Sequence, residues 1–340
     1  MKVTIYDLAK KAGVSISTAS KALNDRKDVG EDTKRKIREL AGKMNYEPSH
    51  SARSLAMKKT ENIGVVTARY YSSPMLTNPF YSRIIEGIEE QLINSELNLV
   101  TGVVKGTQVE AMQIPKMARE KSVDGIITLG YFPEKYVELI VSRGLHVVSI
   151  DNYTNAGKVS SVIVNDEEGG YIAVNYLINE GHRRIAFISG TSKRKSFMLR
   201  GEGYRRALEG AGIAFDEKLT VYNEQEEPGY GWMKDFIGKI GVPDAVFCSN
   251  DVTAILAINT FRDMGLTVPD DVSVVGFDNI ELTSHFIPSI TTVDVDKEKM
   301  GAQSVSMLLN LMAKKEKPGE KVVFPANLVI RDSVRKKIKA

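Results

Sequence analysis

The sequence predicts an α/β protein with a small all-α headpiece and a linker, followed by a two-subdomain core of parallel sheets flanked by helices. Three observations predict it. The first sixty residues carry short amphipathic segments at helical spacing and no strand pattern. From Asn62 onward, apolar strand-like runs alternate with amphipathic helical ones, the pattern of parallel sheets covered on both faces. Those runs are too many for one small open sheet, and they fall into two sets parted near residue 160.

In the stretch "IYDLAKKAGVSISTASKALN", Thr4 is placed to cap a helix whose third residue, Asp7, sits at the positive end. Leu8, Ala9 and Ala12 form its narrow apolar face. Gly13 permits a sharp turn, Val14 plugs it, and Ser15 is placed to cap a second helix running from Ile16 to Asn24. A third segment, "EDTKRKIRELAGKMNY", repeats Ile37, Leu40, Ala41 and Met44 at helical spacing. Two short helices about a glycine turn, with a third to support them, make a helix-turn-helix unit. Its second helix exposes Ile16, Ser17, Thr18, Ser20 and Lys21, residue types suited to phosphates and base edges.

Charge supports the same reading. Residues 1–59 hold 14 Lys/Arg against 7 Asp/Glu, whereas the rest of the chain holds 32 against 36. A basic front on a mildly acidic body is the electrostatic footprint of a nucleic-acid-binding arm. The single cysteine, Cys248, has no partner to bridge with, which points to a reducing compartment, the cytoplasm. One cysteine and four scattered histidines leave no metal-ligand spacing, and no other cofactor is expected. No apolar run of membrane-spanning length and no secretory signal is found, so no membrane partner is expected.

The runs "VTIYDLAKKAGVSISTASKALN" and "NYEPSHSARSLAMKKTENIGVV" closely resemble the lactose/galactose-repressor family of bacterial transcription regulators, and the resemblance extends over essentially the whole chain. It implies a DNA-binding headpiece over 1–46, a hinge over 47–59 and an effector-binding and dimerisation core over 60–340. The implied core has a periplasmic-binding-protein-like fold. Its N-subdomain takes about 60–160 and 292–323, and its C-subdomain about 161–291 and 324–340. The positions matching Ile16, Ser17 and Lys21 read operator bases in that family. Those matching Thr4, Ser15, Thr18 and Asn24 hold phosphates, and the one matching Leu55 wedges into the minor groove from a hinge helix that folds on DNA. Lys21 stands where many members carry arginine. Lysine donates to guanine without the rigid bidentate fork, so the operator sequence does not carry over.

Three core strands end alike, in "SIDN", "CSND" and "GFDN". Ligands of open α/β sheets bind at the carboxyl ends of strands, and carboxylate or amide groups there suit vicinal hydroxyls. Together with the resemblance, this makes Asp151, Asn250 and Asp278 candidate effector groups, while Asp251, opening a helical stretch, reads as a cap. Arg200 occupies the place of the family's effector-binding arginine. Phe80 and Tyr81 follow "NP", where family members often place an effector-contacting aromatic; Tyr70 and Tyr71 in the long loop before them are further aromatics for a sugar face. Counting back six residues from Tyr230 reaches Glu224, where purine-binding members carry an aromatic that stacks the base, and this favours a sugar over a nucleobase. Trp232 reads as core.

These features predict a repressor of carbohydrate-use genes, binding double-stranded, near-palindromic operator DNA as a homodimer under the control of a small effector, a sugar. The alternatives are a catabolite-control type governed by a phosphoprotein corepressor and a purine-responsive repressor. No GxGxxG motif, phosphate loop or nucleophile–base constellation suggests an enzyme.

Overall fold

The computed structural model describes residues 3–46, 59–70, 78–93, 95–153, 157, 159–224 and 231–337. The chain divides into two compact units, Met1–Thr60 and Glu61–Ala340.

The first unit contains α1 (Ile5–Ala12), α2 (Ile16–Leu23) and α3 (Glu31–Lys43). Gly13 takes a left-handed φ of 69°, and the Val14 N–H returns to the Ala9 carbonyl, which closes the turn between the first two helices. Leu8, Ala12, Ala22, Ile37 and Ala41 meet in a small core completed by Val29 and Tyr46. The buried stem of Lys34 carries its ammonium out to Glu31 at 2.7 Å and Asp25 at 3.2 Å.

The second unit opens with β1 (Asn62–Arg69), α4 (Pro79–Leu92), β2 (Asn98–Lys105), the short α5 (Gly106–Glu110) and α6 (Lys116–Arg119), β3 (Gly125–Leu129), α7 (Glu134–Val141), β4 (His146–Ile150) and β5 (Ser160–Val164). There follow α8 (Asp166–Asn179), β6 (Ile185–Ser189), α9 (Lys195–Gly210), β7 (Thr220–Tyr222), α10 (Gly231–Ile240), β8 (Ala245–Cys248), α11 (Asp251–Asp263) and β9 (Ser273–Val275). The chain ends through α12 (Leu282–His285), β10 (Thr292–Asp294), α13 (Lys297–Met312), β11 (Lys321–Phe324) and β12 (Asn327–Val329).

Two all-parallel sheets result, ordered β11-β5-β4-β3-β1-β2 and β7-β6-β8-β9. The strands β3, β5, β6 and β8 are buried throughout, as parallel strands covered on both faces must be. Ser160–Val164 lies in the first sheet, just beyond the division expected near 160, because it pairs with β4 on one side and β11 on the other. After β9 the chain returns to the first sheet: α13 packs on α4 and β4, and β11 joins the edge. β10 and β12 pair antiparallel as a separate ribbon.

Close helix crossings frame each sheet. A Cβ at Gly87 would lie 2.1 Å from the Glu298 carbonyl oxygen where α4 crosses α13. A Cβ at Gly170 would lie 2.3 Å from the Arg200 carbonyl oxygen where α8 crosses α9. The second crossing positions the charged cluster described below. No helix among the described residues is long and apolar enough to cross a membrane.

Candidate functional site

Thr4 and Ser15 set where the first two helices begin. The Thr4 hydroxyl and backbone N–H both donate to the Asp7 carboxylate, at 2.6 and 3.0 Å, in a capping box. Ser15 accepts from the Thr18 N–H at 3.0 Å, and the two hydroxyls lie 2.8 Å apart. α2 turns Ile16 (47% exposed) and Ser17 to the surface while Ala19 and Ala22 face the core. One turn on, the Lys21 ammonium sits 2.5 Å from the Asp28 carboxylate and holds that carboxyl below its usual range. Asn24 ends the helix, its amide donating to the Ser20 carbonyl at 2.9 Å. A groove of about 570 Å³ runs along this end of α2, lined by Ser20, Lys21, Asn24, Arg26, Lys27 and Asp28. Leu55 and hinge residues 47–58 lie outside the described residues.

In the core, Arg200 is buried and organises a cluster of acids. Its Nε–H donates to Asp166 at 2.7 Å, and its Nη1 donates to the Ser249 carbonyl at 2.5 Å and to Asp278 at 3.4 Å. The guanidinium lies 3.6 Å from the centre of the Phe277 ring. Asp166 also receives the Tyr153 hydroxyl. With no side chain at Gly170, α9 lies close enough to α8 for Arg200 to reach the acid that opens α8. Burial pushes the Asp166 carboxyl up to about 6 against the pull of Arg200. Burial likewise pushes Asp278 up to about 7, with Arg200 and Lys297 opposing. The backbone at Asp278 is left-handed, φ 108°, and its carbonyl accepts from the Lys297 ammonium at 2.6 Å.

Asn250 and Asp251 divide their work differently from the expectation. Asn250 caps α11, its Oδ1 accepting from the Thr253 N–H at 2.8 Å. Asp251, expected as the cap, is fully buried and accepts from the Ile280 N–H at 2.9 Å and the Thr292 hydroxyl at 2.5 Å. It braces the turn after β9 against β10. Phe80 is buried in the core at the start of α4, edge-on to Tyr81. It is Tyr81 that reaches the strand ends: its hydroxyl donates to Asp151 at 2.6 Å and accepts from Arg194 Nη1 at 3.3 Å. Asp151, with φ 52°, lies just past β4, and Arg194 just before α9. Both carboxylate oxygens of Glu224 are used, by the Thr191 hydroxyl and the Ser192 N–H, each at 3.0 Å.

Two cavities open at the carboxyl ends of the strands. The larger, about 350 Å³, lies between residues that follow β1, β2 and β3 (Tyr70, Thr107, Tyr131) and residues that follow β6 (Thr191, Lys193, Arg194), with Glu110 of α5 in its wall. The order of the first sheet reverses at β1 and that of the second at β6, so the cavity sits at the topological switch point of each. The rings of Tyr70 and Tyr131 stand 5.7 Å apart at 42°. A smaller cavity, about 80 Å³, adjoins it and is lined by Tyr131, Glu134, Asp151, Arg194 and Lys195 among others.

Residues 4–49 match the family model for bacterial regulatory proteins, lacI family, and residues 174–334 match the periplasmic binding protein-like domain. The HTH-type transcriptional repressor PurR of Photobacterium profundum is 33% identical over 337 residues, covering 98% of both chains. The chain belongs to the lacI family of bacterial regulatory proteins. The probable HTH-type transcriptional repressor ExuR of Bacillus subtilis is 34% identical over 337 residues, covering 98% of this chain and 99% of that one. Among solved structures, a lac repressor dimer bound to operator and the anti-inducer ONPF superposes with a TM-score of 0.81 at 27% identity, over 98% of this chain and all of that one. The complex of the transcriptional regulator CelR with cellobiose superposes with a TM-score of 0.72 at 25% identity, over the same shares. The present chain is thus a DNA-binding transcriptional regulator of the lacI family.

Of this regulator's expected effector groups, Asp278 and Arg200 are brought together, Asp151 lines the smaller cavity, Asn250 caps a helix and Phe80 is core. Sequence reasoning missed Asp166, Tyr131 and the Lys193–Arg194–Lys195 run; of the two aromatics it singled out after "NP", Tyr81 is the one that reaches the strand ends. The run "TSKRKSF" carried a signal, since it directly follows the strand "IAFISG" and so falls at a carboxyl end. Tyr70 lines the larger cavity; Tyr71 and Tyr230 lie outside the described residues. Trp232 packs against the second sheet's core.

Proposed function

We propose that this regulator is a cytoplasmic homodimeric repressor of carbohydrate-use genes, acting by binding alone and without catalysis. It reads a near-palindromic operator with Ile16, Ser17 and Lys21, while Thr4, Ser15, Thr18 and Asn24 face phosphates and Leu55 wedges the minor groove. A small effector, a sugar, occupies the crevice at the strand ends, with Arg200, Asp278, Asp151, Asn250 and Phe80 shaping or touching it. Supporting the operator role, α2 exposes Ile16 and Ser17 beside a groove with Lys21, Arg26 and Lys27 in its wall. The observation that carries the effector role is the cavity of about 350 Å³ where the ends of both sheets meet, within the usual size range of small-molecule sites. Its two tyrosines offer faces to a sugar's C–H surface, and the similar CelR is described in complex with cellobiose. The same tyrosine pair supports a planar base as the second reading, alongside the similarity to PurR repressors.

Selecting operator fragments from a random library with the full chain, then titrating the best fragment with and without sugars and nucleobases, tests this reading. A selected palindrome whose affinity changes with a sugar supports it. A response to bases alone establishes the second reading, and selection of no consensus would overturn the operator role.

A further inference from the structure

The turn that follows α2 brings a carboxylate onto the groove side of that helix. Asp25 takes a left-handed φ of 54°, the Arg26 N–H returns to the Lys21 carbonyl at 3.0 Å, and Val29 docks into the headpiece core. The two acids of the turn are then used differently. Asp25 is taken by α3, accepting from Arg38 at 2.8 Å and lying 3.2 Å from the Lys34 ammonium. Asp28 stands beside Lys21, with Nζ and Oδ2 2.5 Å apart. Both side chains are about half exposed, so the pair lies open at the surface. It lines the same groove as Ser20 and Asn24, where Asp28 is the one carboxylate among the described residues.

An exposed ion pair of this kind contributes little to stability. A carboxylate in a DNA-facing groove also repels phosphates, so backbone binding alone disfavours it there. Its chemistry fits a base edge instead. Ionised, Asp28 only accepts hydrogen bonds, while the ammonium beside it only donates. In the major groove a G·C pair shows two acceptors, guanine N7 and O6, next to a donor, the N4 amino group of cytosine. Guanine O6 and cytosine N4 are hydrogen-bonded to each other and so lie about 2.9 Å apart. A donor and an acceptor 2.5 Å apart suit that spacing. A T·A pair shares the inner acceptor and donor, but it sets a methyl where guanine has N7 and puts adenine N7, a second acceptor, beside the carboxylate.

We propose that Lys21 and Asp28 read one operator G·C pair together, Lys21 donating to guanine and Asp28 accepting from the N4 amino group of the paired cytosine. This rests on the base-reading role proposed above for Lys21 and makes Asp28 a second specificity-determining residue. A lysine lacks arginine's rigid bidentate fork, and here its partner supplies the other half of the contact.

The test is binding titration of the full chain, at one fixed salt concentration, with its selected operator and with fragments in which each base pair of a half-site is replaced in turn. Lys21→Ala locates the base pair that Lys21 reads, as the position whose preference it loses. That pair should be G·C. Asp28→Ala should lose about fivefold or more of the preference at the same position, while binding random DNA as well as wild type or better. Cytosine methylated on N4 keeps its pairing and gives up the amino hydrogen that faces the major groove. At that position it should weaken the wild-type chain about fivefold or more and leave Asp28→Ala almost unaffected. The wild-type arm of this measurement needs no variant to fold. Another base pair at that position, a preference that survives in Asp28→Ala, or a wild-type chain indifferent to the methyl group would overturn the proposal. So would equal weakening of both chains by the methyl group, or equal losses on operator and random DNA in Asp28→Ala, the mark of a purely structural role. The underlying reading fails separately. If Lys21→Ala shifts no positional preference, the base-reading role of Lys21 falls and the pair with it; if Lys21→Ala does and Asp28→Ala does not, Lys21 reads alone and only the pair falls.

Discussion

Replacing Arg200 with methionine tests whether the buried cluster stabilises the fold as well as shaping the crevice. The change keeps an unbranched apolar stem and removes the guanidinium that faces Asp166 at 2.7 Å and Asp278 at 3.4 Å, together with its bond to the Ser249 carbonyl. Taking one partner from a buried ion pair typically costs ~3–5 kcal/mol, because the other charge stays buried and uncompensated. That is a large share of the stability of an ordinary domain. The pH dependence gives a second signature. Both acids have folded pKa values above those of the unfolded chain, about 6 for Asp166 and about 7 for Asp278. The folded state therefore binds their protons more tightly, and the stability they contribute is present at low pH and lost as pH rises through those values. Without Arg200 both values rise further. The gap between wild type and variant must then widen from acid to mildly alkaline pH. Urea unfolding of the full chain at about pH 5.5 and about pH 8 measures it, and Asp166→Asn in the Arg200→Met background should recover part of the loss. A loss under about 1 kcal/mol, or one of equal size at both pH values, would show that the cluster is not the brace described here.

Lys21→Ala should lose roughly 1–3 kcal/mol of discrimination between operator and random DNA, measured by parallel binding titrations; equal losses on both would remove it from base reading. Ser15→Ala should cost about 1 kcal/mol by uncapping α2, seen as faster amide exchange at Thr18 with the core unchanged. Gly170→Ala should destabilise the second unit by more than a surface substitution does, roughly 1–3 kcal/mol in urea unfolding, because the new methyl meets the Arg200 carbonyl oxygen; a neutral result would mean the crossing yields. Leu55→Ala should weaken operator binding while sparing dimerisation and effector binding.

The alternation that predicted the core was strong where strands are buried on both faces. "DGIITLG", "RRIAFISG" and "DAVFCSND" all became central strands. It was weak at the sheet edges. β11 alternates exposed and half-buried residues over only Lys321–Phe324, and β7 spans three residues. "SSVIV" lies at the division inferred near 160, and pairing with β4 and β11 fixes it in the first sheet. In the headpiece nearly all was legible, since caps, glycine turn and apolar spacing are local signals: Thr4, Ser15 and Gly13 do what their positions foretold. The pairing of Lys21 with Asp28, seven residues on, was not, because it depends on how the chain turns after α2.

The site was less legible because one residue type serves two needs at the end of a strand. Asp and Asn there can face a ligand or satisfy backbone donors, and spacing does not separate the two. Asn250 and Asp251 show how the choice falls. The residue flanking the helix outside its first turn has the extended backbone that lets its side chain bend back onto the Thr253 N–H. The next residue is already helical, and its side chain is carried inward, where a carboxylate must find donors or lose its charge; Ile280 and Thr292 supply them. Arg200 follows the same logic, since a guanidinium buried between two acids is held by the protein before any ligand arrives. Groups so committed give a crevice rigid walls, and in the proposed effector role the side chains lining its cavities are the ones left to touch a ligand. In this regulator those belong to Tyr70, Tyr131 and the cationic turn before α9, whose "SKRKS" looks in sequence like any solvated loop. Only the parallel topology, which brings the end of β6 to face the ends of β1, β2 and β3, places that turn in a cavity wall.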